Sequence, residues 1–327
     1  MGAEAAESLQ LAGTGQCPEF LPMFMKVRGA GFVRTGLDCT RRSLITVFRT
    51  LPLYGLFLIA PLSAAQADNV GRLQRLLSLS GIADIVTTFP EQIHRQLHRP
   101  DTVADSDTVA AVEQRLRSAY SSMDMMAVLN DYVASRLSSN QLDSILAWYD
   151  SPLGRRLAEA ERQAETAAGR EGMQAFLTEF DKQPVARERV RLVRRFEEAG
   201  RLARINLAVM RALYETEFVA VNALRPSQAR LDGEHLQAQM QQQFYDVREL
   251  ILPGLAVNMM AISYYTLRSF NNSEISSYIA FLESGNGQAL LDLYEDVPVY
   301  LLGQLVSHAG IPVPTGFFRT THVTRAD

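Results

Sequence analysis

Cysteine is nearly missing from this chain. Cys17 and Cys39 are the only two in 327 residues, and both fall within the first forty. Past them, disulfides, thiol catalysis and Cys-based zinc or iron–sulfur sites are excluded. A basic excess is missing too: the formal net charge is −4, which argues against a dedicated nucleic-acid binder. The apolar runs Leu51–Leu62, Leu250–Ile262 and Val297–Val306 are each too short to span a bilayer. Strand-like alternation is scarce. No G-x-S-x-G, Walker loop, H-E-x-x-H or complete G-x-G-x-x-G occurs after residue 67. What remains is a composition with 47% apolar and 21% charged residues, which is that of a globular protein with ample core.

The first 67 residues read as a leader. Arg41, Arg42 and Arg49 precede the apolar run from Leu51, and Ala65-Gln66-Ala67 ends it with small residues. This three-part layout predicts a secretory signal peptide cleaved after Ala67 and a periplasmic protein. Thr40-Arg41-Arg42-Ser43-Leu44-Ile45 has the look of a twin-arginine motif, which leaves the export route open. The remaining 260 residues carry 26 basic and 32 acidic side chains, a net of −6. Lys182 is their only lysine, against 25 arginines.

Helical spacing dominates that remainder. Val190, Val193 and Phe196 form one stripe, and Leu236, Met240, Phe244, Val247 and Ile251 form another at steps of three and four. The expected fold is all-α. Sliding the chain against itself by 133 residues lays Ser139–Ala158 on Asn272–Leu291. Leu142, Ile145, Leu146 and Tyr149 then match Ile275, Tyr278, Ile279 and Leu282. The start signals coincide as well: Ser138 with Gln141, and Asn271 with Glu274, both have capping-box spacing. Next comes a turn, Ser151-Pro152-Leu153-Gly154 in one segment and Ser284-Gly285-Asn286-Gly287 in the other. A serine N-cap followed by proline at N1 opens a helix well.

These matches predict two packed helical repeats built from αα-hairpins, 68–202 and 203–310, with an extended or disordered tail over 311–327. Val185–Tyr214 reads as continuous helix with one weak point at Gly200.

The run Leu142–Leu157, LDSILAWYDSPLGRRL, resembles the signature of the domain of unknown function 2059 family. There a helix ending in Phe/Trp-Tyr meets Ser/Thr-Pro-x-Gly and a further helix, here Trp148, Tyr149, Ser151, Pro152 and Gly154. The second segment keeps Phe281, Ser284 and Gly287 but has Leu282 for the tyrosine and Gly285 for the proline. The resemblance implies an all-α, exported protein of a Gram-negative bacterium. It implies no activity, and its recurring residues read as caps, turn and packing.

Three features bear on chemistry. Glu91, His94 and His98 stand at i, i+3 and i+7 after Pro90, a carboxylate and two imidazoles along one helix face. They are the candidate metal ligands; the plainer reading is a solvated face, with Arg95 and Arg99 opposing a cation. Arg187, Arg189, Arg191, Arg194, Arg195, Arg201 and Arg204 share 18 residues with three glutamates, a local net of +4. That face is the candidate for peripheral contact with anionic lipid or an acidic partner, or it is simply solvated. Leu250–Ile262 and Val297–Val306 read as buried core, with the walls of a ligand pocket as the alternative.

With no nucleophile–base set, no catalytic residue and no cofactor loop in view, the leading reading is a non-catalytic binding or interaction protein of the bacterial envelope. Two alternatives stay open. One is a carrier of a hydrophobic ligand, which needs a cavity between the halves beside Leu250–Ile262. The other is a metal-dependent enzyme centred on Glu91, His94 and His98.

Overall fold

A computed structural model describes residues 60–320 apart from 101, 103, 165 and 181–185. The leader up to residue 59, with both cysteines, and the tail after residue 320 lie outside the described residues. Within them the chain is predominantly helical, with no strand. The order is α1 (Ala60–Ser80), α2 (Ile82–Thr87), α3 (Phe89–Leu97), α4 (Ser106–Ser122), α5 (Met125–Arg136), α6 (Ser139–Asp150), α7 (Pro152–Ala164) and α8 (Ala167–Phe180). It continues with α9 (Arg187–Ala199), α10 (Leu202–Leu224), α11 (Gly233–Thr266), α12 (Asn272–Glu283) and α13 (Gly285–His308).

Two helices form the centre. α10 and α13 pack along each other, and both are buried over much of their length. The expectation of a buried Val297–Val306 matches: Val297, Leu301, Leu302, Leu305 and Val306 are all fully buried. α4, α5 and α6 cover α13, α3 and α4 cover α10, and α9 lies on α12. Charged ties cross these contacts. Arg99 pairs with Glu217 at 3.3 Å, lies over the Tyr214 ring and fastens the end of α3 to α10. Arg204 reaches Glu295 at 2.5 Å from α10 to α13.

The two capping boxes form as their spacing predicts. Ser138 Oγ accepts from the Gln141 amide, and Asn271 Oδ1 accepts from the Glu274 amide. In return the Gln141 and Glu274 side chains accept from the amides of residues 138 and 271. Ser151 and Ser284 cap the following helices by accepting from Gly154 and Gly287, at 3.0 and 3.1 Å.

Those glycines are required by close approach. A Cβ at position 154 would overlap the Trp148 carbonyl oxygen, and one at 287 would overlap that of Phe281. Thr166 and Gly169 build a third turn of the same kind between α7 and α8, with Gly169 against the Gln163 carbonyl. Its lack of a proline hid it among ordinary small residues.

The two hairpins, α6–α7 and α12–α13, face one another. Trp148 stacks on Phe281 with centroids 4.4 Å apart and planes 4° apart. These residues occupy the same place in the two segments at the 133-residue offset. Arg156 of α7 also reaches Glu274 of α12.

Three expectations need correction. The predicted continuous helix through 185–214 is broken: Gly200 ends α9, and Arg201 adopts φ 51° before α10 begins. Arg201 is held there by Asp292 at 2.7 Å and by Gln288, bonds that offset the strain of a left-handed non-glycine residue.

Leu250–Ile262 is not buried core. Leu250 is 81% exposed, and fully buried side chains resume only at Met259. Helix α11, at 34 residues, is roughly 51 Å long, whereas its neighbour α10, at 23 residues, is roughly 35 Å long. Its middle outruns its cover. It also bends by 51° between Leu252 and Gly254, where Pro253 supplies no amide to the helical ladder. Among the described residues no single helix is long and apolar enough to cross a membrane.

Finally, residues 311–320 are neither extended throughout nor loose: the chain turns at Thr315 and Gly316, and Phe318 adopts φ 52°. Ile311 and Phe317 are buried, and the Phe318 amide donates to Glu215 at 2.7 Å.

Candidate functional site

A cavity of about 200 Å³ lies where the two hairpins meet. α6 and α7 contribute Tyr149, Ala158 and Glu161; α12 and α13 contribute Tyr278, Leu282, Leu291 and Tyr294. α10 and the last turns of α11 add Ile205, Met259 and Ile262 to its walls, and it remains open to solvent on one side. Exposed Arg162 stands on its rim. The cavity therefore sits between the two hairpins and beside the end of Leu250–Ile262.

Its walls are mostly apolar, with a small polar set in their midst. Tyr278 donates to Glu161 Oε1 at 2.8 Å. Tyr149 is hydrogen-bonded to Tyr294, whose hydroxyl donates in turn to the Ser80 carbonyl. Burial pushes Glu161 above the ordinary carboxyl range, with the Tyr278 bond opposing. Burial first, and neighbouring Tyr294 and Glu161 after it, push the Tyr149 and Tyr278 hydroxyls well up.

A second carboxyl, Glu197 of α9, accepts from the cavity-lining Ser263 at 3.0 Å. Burial pushes it up to about 7. Both acids are thus biased toward their neutral forms, because a low-dielectric surround penalises the charge. The cavity can bury an apolar body and offer one or two hydrogen bonds, while lending little net charge.

Glu161 was missed in the sequence, although a signal was there. It falls on the stripe of Leu157, Ala158 and Ala164, all buried, where a carboxylate is out of place. Its counterpart at the 133-residue offset is Tyr294.

The predicted histidine face is partly reassembled. His94 and His98 do share a face of α3, with rings 4.4 Å apart. Glu91 is not with them: it is turned to Arg95 at 3.1 Å and is mostly exposed. The carboxylate between the imidazoles is Glu113 of α4, with Oε1 3.0 Å from His94 Nδ1 and Oε2 3.0 Å from His98 Nε2. Bonds from His98, His94 and Arg117 lower Glu113 to about 2. Periodicity could not find it, because nothing in α4 distinguishes Glu113 from a solvated glutamate.

The arginine-rich segment is divided by the fold. Arg189 donates to the Phe270 carbonyl at 2.8 Å and to that of Leu267 at 2.5 Å. Arg195 forms a two-pronged pair with Glu283, and Arg201 and Arg204 bind α13. Arg187, Arg191 and Arg194 are exposed. The residues singled out as motif, Ser138, Gln141, Trp148, Tyr149, Ser151, Pro152, Gly154, Asn271, Glu274, Phe281, Ser284 and Gly287, are caps, turns and packing, with Tyr149 also reaching the cavity.

Among the described residues the geometry is that of an all-helical protein with a small, largely apolar, partly open cavity beside its two hairpins. Residues 123–179, spanning α5 to α8, match a family model described as an uncharacterized protein conserved in bacteria, DUF2059. The match covers the first hairpin; the second lies outside it. No curated protein and no solved structure matches the chain.

Proposed function

We propose that this chain is a non-catalytic binding protein of the bacterial envelope that holds a small, mainly apolar, uncharged molecule between its hairpins. The cavity carries this reading. At about 200 Å³ it exceeds the ~150 Å³ that admits a benzene ring and falls below the ~300–1,000 Å³ of drug-sized sites. Its occupant is therefore a short acyl or aromatic body with one polar end. Glu161 and Tyr278 receive that end, and the low-dielectric surround that pushes the Glu161 carboxyl up also penalises an unpaired charge on the ligand. The envelope assignment rests on the three-part leader, and the duplication on the paired capping boxes, the paired serine–glycine turns and the meeting of Trp148 with Phe281.

Calorimetric titration of the full chain with straight-chain alcohols, acids and amines of increasing length tests the reading. Alcohols and protonated acids are expected to bind with one site per chain, and amines weakly. Ala158→Phe, which fills the cavity from one wall, is expected to abolish binding in a protein that still melts cooperatively. Binding that survives that substitution would place the ligand elsewhere and sink the proposal.

A further inference from the structure

A second site lies away from the cavity, at the junction of α3 and α4. We propose that His94, His98 and Glu113 form a binding site for one divalent transition-metal ion of the zinc class. The ligand set has the right chemistry. Two imidazoles and a carboxylate suit zinc, nickel or copper, whereas magnesium and calcium prefer all-oxygen shells. The spacing is right as well, since histidines at i and i+4 present their nitrogens on one helix face.

The distances point the same way. Donors around a tetrahedral zinc with bonds of about 2.0–2.1 Å stand roughly 3.3 Å apart. Glu113 holds its two oxygens 3.0 Å from a nitrogen of each histidine. One donor atom from each of the three residues lies within 4.8 Å of the others. The side chains of both histidines are nearly half exposed, at 45% and 47%, so small rotations can close the set around an ion and leave a water-accessible position.

The support beneath the site is firm. His98 caps the end of α3, with its amide on the His94 carbonyl at 3.1 Å. Gln96 of α3 donates to buried Glu217 of α10 at 2.6 Å, which fixes the helix bearing both imidazoles. Opposing the cation are Arg117, which donates to Glu113 Oε1, and Arg95, which is occupied by Glu91. Arg117 competes with the ion for one carboxylate oxygen, and that competition yields a distinct signature.

The test is calorimetric titration of the full chain with zinc chloride, in a Cys17→Ser, Cys39→Ser background that removes thiol ligands. One ion per chain is expected to bind, with magnesium giving no heat. His98→Ala and Glu113→Gln are each expected to weaken binding by about tenfold or more. His98 is nearly half exposed and Glu113→Gln keeps the shape of a side chain that is 17% exposed, so unchanged helical circular dichroism is expected and would confirm that the fold survives.

Glu91→Gln should change affinity far less than either, since Glu91 is no ligand and bears on the site only through Arg95. Arg117→Ala should tighten it several-fold, a gain that chance adsorption on surface imidazoles would not show. Absence of zinc binding, or affinity untouched by His98→Ala and Glu113→Gln, would overturn the assignment.

Discussion

The two hairpins α6–α7 and α12–α13 share their backbone chemistry and differ in what their side chains do. Each opens with a reciprocal capping box, turns on a serine N-cap, and brings a glycine against a carbonyl of the preceding helix. Past the turn they part. α13 runs 24 residues through the centre of the core. α7 runs 13 residues with a polar outer face and places Glu161 where α13 places Tyr294. A tight turn tolerates few solutions, because orphan amides and close-approaching carbonyls must be satisfied locally. A helix face is far less constrained. One hairpin can therefore become core while its counterpart lends a carboxyl to a cavity wall.

The shared turn is the place to break the comparison most severely. Gly154→Ala and Gly287→Ala each force a Cβ onto a backbone carbonyl, and each should cost about 2–3 kcal/mol, the upper part of the overpacking range. Gly169→Ala should behave alike. Equal losses at 154 and 287 in urea unfolding would show that the turns are equivalent; a neutral Gly287→Ala would show that they are not.

The contact between the hairpins comes next. Trp148→Ala should cost about 2 kcal/mol, less than a fully buried aromatic because the ring is half-buried. A double-mutant cycle with Phe281→Ala should return a coupling of about 1 kcal/mol. Additive losses would mean that the stacked rings contribute only separate burial.

Much of this was readable in the sequence, and the reasons are local. Caps, serine turns and the helical period are written in neighbouring residues, so α6, α12 and their turns could be placed from spacing alone. Long-range pairing is not written that way. Glu91 stood three residues from His94 and looked like its partner, yet the carboxylate that reached the imidazoles came from another helix, 19 residues on. The carrier reading needs a cavity, but residue spacing does not show which polar group lies in it. Only packing on α12 shows that Glu161 faces inward. The exposed middle of α11 was misjudged because apolar content predicts burial only where a neighbour is long enough to supply it.

A pH-dependent difference sharpens the comparison at Glu161. Its folded-state pKa is raised above the usual 4.5 by burial. Folding therefore favours the proton, and the contribution of this one group to stability is greatest at low pH and falls as pH climbs from about 4.5 through the raised value. Glu161→Gln, which can still accept from Tyr278, should match the parent near pH 4 and exceed it near pH 8. Tyr294→Phe at the equivalent position should change little of that pH profile. Parallel profiles for Glu161→Gln and parent would show that this carboxyl is not buried as described.

The capping boxes predict a smaller and symmetrical effect. Ser138→Ala and Asn271→Ala each remove one acceptor from an otherwise orphaned amide, for a loss of about 1 kcal/mol apiece. The sum should hold in the double variant, since the two caps bond within separate hairpins and share no partner.

The smallest change would make the second hairpin more like the first. Position 285 is the first residue of α13, as Pro152 is of α7. A Cβ there meets nothing within 4 Å, and an N1 residue has no intrahelical use for its amide. Proline would fix φ near the helical value and remove freedom from the unfolded chain, so Gly285→Pro should stabilise by about 0.5 kcal/mol. The reverse change, Pro152→Gly, should lose a similar amount. Thermal unfolding of the pair decides the matter. Opposite shifts of similar size would mean that the hairpins differ at N1 only in chain entropy. A loss in both would mean that Gly285 serves a backbone geometry its counterpart does not share.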